Sequence, residues 1–309
     1  MEKKTFYMTM TDGHQVFVRT FYPAKSIRSH IHILHGMAEH SARYESFAKQ
    51  LCEEGYVVSM HDHRGHGFTA QKNGQLGFFC AENGFERVVQ DVFEVLETLK
   101  LELNIARPIL LGHSMGSFIA RRFAQKYSYF LEKLILSGTA SPTTAEKAGH
   151  FFAKQLVRIQ GATSPSPLMN NLSFGSFNRF IDRPKTKFDW LTTDVAEVQK
   201  YIDDPLCGFI ATNQFYVDLT EGMAFLDCPF ENSRIRHDLP ILLISGTEDP
   251  VGDKNGKGVV KAGQQLVTAG VENVLVYLFE GMRHEILNER KKDQVIEIIV
   301  RWLKNEKKI

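Results

Sequence analysis

Residues 112–116 read GHSMG and lie between the apolar run Ile109-Leu110-Leu111 and the stretch Ser117-Phe118-Ile119-Ala120. The run before the pentapeptide has the length and character of a buried strand, and the residues after it those of a helix. Glycine and serine are ordinary turn residues, so five residues alone do not separate a structural turn from a nucleophile. A serine hydroxyl is a weak nucleophile at neutral pH; it needs a base to take its proton and a third group to orient that base. The reading of Ser114 therefore depends on what the rest of the chain can bring to it.

Around GHSMG, short apolar runs alternate with longer helical stretches: 30–34 then 41–53, 56–60 then 85–103, 108–111 then 117–127. Further strands are expected at 134–136, 240–245 and 274–279, and a closing helix at 292–305. This alternation predicts an α/β architecture with a mostly parallel central sheet covered by helices on both faces. Upstream, two alternating segments at 5–10 and 16–22 flank Thr11-Asp12-Gly13-His14, a hairpin signal. Between 141 and 232 the alternation stops, aromatic residues such as Phe151, Phe152, Phe174, Phe177, Phe180, Phe188 and Trp190 accumulate, and the sheet pattern then resumes. The chain thus divides into core residues 1–140, an inserted helical cap at 141–232, and core residues 233–309.

In a parallel sheet the productive edge is the carboxyl end of the strands, where loops converge. After 241–245 comes Gly246-Thr247-Glu248-Asp249-Pro250, and after 274–279 comes Glu280-Gly281-Met282-Arg283-His284. Each turn offers one residue of the missing type. Asp249 competes with Glu248 and Asp253 for the acid, whereas of twelve histidines only His284 follows the last strand. Gly112 and Gly116 then acquire a reason: a nucleophile on a sharp strand-to-helix turn needs small residues two positions to either side. A helix that begins after Ser114 also aims unpaired N–H groups at the site, which makes the Met115 N–H a donor for a developing oxyanion. The second donor is expected from the loop His35-Gly36-Met37-Ala38-Glu39-His40, at the Met37 N–H.

Five ordered blocks, HGMAEHSARY (35–44), DHRGHG (62–67), GHSMG (112–116), SGTEDPVGD (245–253) and GMRHEILNE (281–289), carry a resemblance. Together they resemble the monoacylglycerol lipase and lysophospholipase branch of the α/β-hydrolase superfamily, a group often filed with serine aminopeptidases. The resemblance implies an α/β-hydrolase fold with an inserted cap, Ser114 as nucleophile, Asp249 and His284 as its partners, and Met37 with Met115 as oxyanion donors. It also implies a serine esterase acting on a small lipid ester such as a monoacylglycerol or lysophospholipid, without a cofactor. Two positions depart from the branch: Ala38 and Ser117 stand where glycine is common.

Aromatic residues of the cap are expected to divide between its own core, where Phe152, Leu156 and Ile159 recur at helical spacing, and the wall of an acyl pocket, to which Phe177 is assigned. An apolar cap also predicts transient contact with a membrane surface. The rival readings are an aminopeptidase on the same three residues, which would need an acidic pocket for a substrate amine, and a non-catalytic binding protein of this fold. Cap acids Asp182, Asp189, Asp194, Glu197, Asp203 and Asp204 keep the first rival open.

Composition narrows the partners. Lysine and arginine number 37 against 36 aspartates and glutamates, for a formal charge of +1, so a nucleic-acid partner is not expected. Cys52, Cys80, Cys207 and Cys228 are scattered without a CxxC pair, which reads as free thiols in a reducing cytoplasm. The start MEKKTFYMTMTDGHQ has no apolar centre of a secretion signal, and no run has the length of a spanning helix. Histidines cluster at 61–66 with ligand-like spacing, but no second ligand cluster follows, so no metal is expected.

Overall fold

The computed structural model describes residues 1–142 and 144–305; Thr143 in the expected cap and 306–309 at the expected end of the core lie outside the described residues. Eight strands form one sheet: β1 Glu2–Thr9, β2 Gln15–Tyr22, β3 Ser29–Leu34, β4 Tyr56–His61, β5 Ile109–His113, β6 Leu134–Ser137, β7 Ile241–Gly246 and β8 Val274–Phe279. Their order across the sheet is β1-β2-β4-β3-β5-β6-β7-β8. Only β2 runs against its neighbours; β3 to β8 are mutually parallel.

Five of the six parallel strands, β3 to β7, are buried in alternation on both faces, and β8 at the sheet edge is half-buried. Leu110, Leu134, Leu136, Ile241 and Leu243 enter one core, together with α3 (Gly84–Leu103), α4 (Met115–Tyr127) and α10 (Lys257–Thr268). Ile109, Leu111, Ile135, Leu242 and Ile244 enter the other, against α1 (Glu45–Glu53) and α11 (Lys292–Leu303). Period-two burial on both faces is why these strands read as continuous apolar runs. The short helix α2 (Gly67–Asn73), ended by Gly74 at φ 97°, was not expected, because seven mixed residues carry no readable helical period.

Between β6 and β7 the chain forms α5 (Thr144–Gln160), α6 (Pro167–Phe174), α7 (Val195–Asp203), α8 (Asn213–Leu226) and α9 (Pro229–Asn232). This insertion is not built around one core of its own. Phe215, Tyr216, Val217, Met223 and Leu226 of α8 join the same core as α3 and α4. A separate small cluster holds Trp190, Leu191, Tyr201 and Cys207, with Phe174, Phe177 and Phe188 packed against it. On α5 the expected inward trio divides: Leu156 packs inward, whereas Phe152 and Ile159 face solvent at 53% and 79% exposure. Helix α5 packs on α8 through a single strip that includes Ala153 and Val157, and one strip cannot take residues from all round the helix.

The histidines of β3, β4 and the loops after them are buried in pairs. His30 Nε2 and His32 Nδ1 both lie 2.6 Å from Ser59 Oγ, His32 Nε2 lies 2.9 Å from His61 Nδ1, and the His63 N–H donates to His35 Nε2 at 2.9 Å. Burial lowers the pKa of His30, His35 and His66 to about 3 and of His61 and His113 to about 4, and holds His32 and His63 well below the ordinary value. In the unfolded chain these rings take up protons near pH ~6.5. The folded state does not, so stability is fully present above that pH and is lost as pH falls below it. His284 alone among the buried rings has a raised pKa and pulls the other way. The unfolding free energy from urea titrations is expected to fall between pH 7.5 and 5, with a slope below pH ~6.5 steeper than the roughly 1.4 kcal/mol per pH unit of one proton; a flat free energy would contradict the burial of neutral rings.

Candidate active site

The chain leaves β3 for β4 on one side and returns to β5 on the other, so the sheet reverses direction of growth between β3 and β5. At such a switch point the loops diverge and leave a crevice. The loops after β3 and β5 carry Met37 and Ser114, and both line a cavity of about 290 Å³ with His284, Gly36, Ala38 and His113. Ser114 stands between β5 and α4 at φ 52° and ψ −122°, a conformation few side chains adopt. The Ser114 N–H donates to Ser137 O at 2.9 Å, and the Ser117 hydroxyl donates to Ser114 O at 2.6 Å, so serine at 117 supports the turn where glycine could not.

Gly112 and Gly116 set the depth of that turn. A Cβ on Gly112 would lie 2.2 Å from Gly116 O, and one on Gly116 would lie 2.3 Å from Leu34 O. The helix rests directly on the backbone of both strands. Met115 is the first residue of α4, whose opening N–H groups lack carbonyl partners within the helix. In the loop after β3, Glu39 Oε1 accepts the Gly36 N–H at 2.5 Å and the His35 Nδ1 donates to Gly36 O at 2.8 Å. Ala38 adopts φ 54°, the left-handed conformation that glycine takes without strain.

Asp249 and His284 come from the ends of β7 and β8. His284 Nδ1 lies 2.9 Å from Asp249 Oδ1, with both side chains buried. A carboxylate only accepts, so Nδ1 carries the proton and Nε2 is left as the acceptor. Asp249 also accepts the Ser245 hydroxyl at 2.8 Å and the Val251 N–H at 2.9 Å. Burial works against its charge, but His284 and these donors outweigh burial and hold its pKa below the usual value. Burial likewise disfavours an imidazolium at His284; the Asp249 carboxylate, with Glu285 and Glu39 beyond it, wins and raises the pKa. Asp249 is thus the acid brought to His284. Glu248 instead lies 3.8 Å from Arg283.

The cap closes the cavity with Phe174, Phe188, Trp190, Leu191, Phe209 and Ile210. Trp190 packs on the His284 ring at 5.1 Å between centroids, and its carbonyl accepts the His284 N–H at 3.4 Å. Phe177 is not among the lining residues; it stands edge-on behind Trp190 at 4.8 Å, and Phe174 holds the wall position. Two acids face the cavity, Glu39 and Glu285, and both are paired with Arg43. Arg43 Nη1 reaches Glu39 Oε2 at 3.0 Å and also Glu285, while Nη2 reaches Glu285 Oε2 at 2.7 Å. None of the six cap acids lines it.

Among the described residues, one group brings metal-ligand atoms together: His40, Asp204 and Cys207, within 4.8 Å of one another. His40 Nε2 and Asp204 Oδ2 satisfy each other at 2.8 Å, and burial holds the Cys207 thiol well above its usual pKa, so this is a hydrogen-bonded seam between loop and cap. The histidines of 61–66 do not converge in this way. Asp62 accepts the Ser41 N–H at 2.9 Å and the Phe68 N–H at 2.8 Å, and Arg64 pairs with Asp91 at 2.5 Å, so this run braces the loop after β3.

The family described as serine aminopeptidase, S33, matches residues 25–291. The chain belongs to that family. Within it the chain is 26% identical to human monoglyceride lipase over 284 residues, 92% of this chain and 84% of that protein. It is 23% identical to the monoacylglycerol lipase of Mycolicibacterium smegmatis over 300 residues, 94% and 93% of the two chains. A thermostable carboxyl esterase of Bacillus coagulans superposes on this S33 protein with a TM-score of 0.92 at 27% identity, covering 99% of each. A lipase in an open form superposes at 0.89 with 25% identity, covering 98% of this chain and 99% of that one. The S33 chain is thus an α/β-hydrolase of the monoacylglycerol lipase branch.

The contact of α4 with β3 makes a direct test. Gly116→Ala is expected to cost about 1–3 kcal/mol, because a Cβ must push the helix off Leu34. Gly149→Ala, in α5 with only Met169 Cε at 3.7 Å, should be neutral or gain up to about 1 kcal/mol from helix propensity. Equal effects in denaturant titrations would mean that α4 does not rest on Leu34 at Gly116.

Proposed function

We propose that this protein hydrolyses carboxylic esters of lipids of the monoacylglycerol or lysophospholipid type through an acyl-enzyme on Ser114. The observation that carries the reading is His284, its Nδ1 held by Asp249, on the same cavity as Ser114. Ser114 Oγ attacks the ester carbonyl as its proton passes to His284 Nε2. The Met37 and Met115 N–H groups receive the oxyanion, and Gly112 and Gly116 keep the elbow tight enough to present Ser114. His284 then protonates the leaving alcohol, and water repeats the sequence to release the acid. Asp249 fixes the tautomer and stabilises the imidazolium.

Esters are favoured over aminoacyl amides because the cavity offers an amine no unpaired acid: Glu39 and Glu285 are both committed to Arg43. The cap, 141–232 in this reading, supplies an apolar wall for the acyl chain. On its outside Phe151, Phe152, Leu168, Leu172 and Phe180 are exposed. That face supports transient contact with a lipid surface by a protein working in the cytoplasm. No described helix is long and apolar enough to cross a membrane.

Ser114→Ala should abolish turnover and labelling by a fluorophosphonate while the protein stays folded; a labelled mutant would move the nucleophile elsewhere. Because His284 must be neutral to act and its pKa is raised, kcat/KM should fall on the acid side through one ionisation centred above pH 6.5. Glu285→Gln should move that limb to lower pH, since Glu285 helps to raise His284.

Chain-length dependence checks the pocket. Each methylene that enters should gain up to about 0.8 kcal/mol, roughly fourfold in kcat/KM, until the cavity is full. Phe174→Ala should lengthen the preferred chain, while Phe177→Ala should lower stability and leave the preference in place. A flat profile with good turnover of aminoacyl amides would replace the ester reading with the aminopeptidase one.

A further inference from the structure

The loop that carries Met37 is anchored on two sides. Towards its start, Gly36 is held from within the core, by Glu39 on its N–H and His35 on its carbonyl. Towards its end the anchor is the carbonyl of Ala38, and here both donors come from the cap. Tyr201 OH donates to Ala38 O at 2.8 Å, and the Gly208 N–H donates to the same oxygen at 2.9 Å. Ala38 is the residue of this loop at positive φ, 54°. That conformation is strained for an L-residue, so the two cap donors act at the strained point, one residue from the Met37 N–H.

Tyr201 is built to do this. Its ring is buried between the Arg43 guanidinium, 4.9 Å from the ring centre, and Phe188, edge-on at 5.0 Å. Arg43 is itself fixed by Glu39 and Glu285. The hydroxyl is therefore aimed by packing before it bonds, and burial keeps the phenol protonated as a donor. Gly208, at φ 65°, approaches so closely that a Cβ would lie 3.0 Å from Phe188 Cζ and 3.2 Å from Tyr201 Cε1. A side chain there would displace both the ring and the N–H.

We infer that Tyr201 is a positioning residue: through the Ala38 carbonyl it holds the loop in the strained form that presents the Met37 N–H to the oxyanion, and so makes the donor depend on the seating of the cap. This rests on the reading of Met37 as an oxyanion donor. It follows that a displaced cap loosens the loop even where Ser114, His284 and Asp249 are untouched, and that the loss appears in the transition state and not in substrate binding.

Tyr201→Phe tests this, because it removes the donor and keeps the ring. The kcat for a short-chain ester should fall roughly tenfold, less than the 10²–10³ of deleting an oxyanion donor outright, with KM within about twofold. The affinity of a trifluoromethyl ketone, whose adduct carries the oxyanion, should fall by the same factor as kcat. Adding Ala38→Gly to Tyr201→Phe should restore part of the loss, since glycine holds positive φ without a tether. Unchanged kcat and ketone affinity in Tyr201→Phe would overturn the inference. So would a loss that falls on KM, or one that follows a lowered Tm and is not rescued by glycine. Ser114→Ala separates the two levels: if it retains turnover, the nucleophile reading fails; if it is inactive and Tyr201→Phe is fully active, the tether alone fails.

Discussion

Everything at this site hangs on the distance between α4 and the backbone of β3 and β5. Gly116 lets the helix rest on Leu34 O, and Gly112 lets the strand pass under Gly116. That contact forces the chain to reverse within one residue, and Ser114 takes the strained conformation that results. The strain is affordable because the surrounding core over-determines the turn: Leu110, Leu134 and Leu136 pack beneath it, with Met115, Phe118 and Ile119 of α4 against them. The same close approach brings the start of α4 beside the loop after β3, so the proposed nucleophile and both proposed oxyanion donors share one point in the sheet.

The cap is tied to this point by its backbone as well as by its apolar surface. Trp190 O and Leu191 O accept the N–H groups of His284 and Glu285, at 3.4 and 2.7 Å, and Gly208 N–H reaches Ala38 O. Helix α8 shares its core with α3 and α4. The insertion therefore has two physical parts: α8 is continuous with the body of the protein, and the segment around 174–208 sits over the cavity on a small aromatic cluster of its own. The second part rests on far fewer buried apolar residues than the first.

The middle of the sheet was legible because strands β3 to β7 are buried on both faces and leave unbroken apolar runs such as 109–111, 134–136 and 241–244. The candidate residues Ser114, Asp249 and His284 were legible as neighbours because each lies in the loop that follows a strand, and such loops in a parallel sheet meet at one edge. The pocket wall was not. Phe174 and Phe177 are three residues apart and both pack on Trp190, one stacked and one edge-on, yet only Phe174 lines the cavity. Phe152 and Ile159 had the spacing of a buried face but turned outward, because period alone does not say how wide a strip the partner helix covers. Tyr201, Arg43 and Glu285 were missed for a different reason: their roles lie in pairings between segments 158 and 242 residues apart, which no local pattern encodes.

Those pairings also settle an apparent conflict in the electrostatics. Two buried carboxylates beside a catalytic-type histidine would serve an amine-binding pocket if they were free, and would be costly if left unpaired. Arg43 answers both points. It neutralises Glu39 and Glu285 at contact distance and lowers the pKa of Glu285 despite burial. At His284 burial opposes the charge, Asp249 supplies the leading opposite pull, and the two carboxylates add to it, so the histidine is raised. A group that pairs its carboxylates, offers no vacant charge to a substrate amine and strengthens the neighbouring base suits the proposed attack of Ser114 on a neutral ester. The field is then spent on the imidazolium that forms during the reaction, and not on the substrate before it.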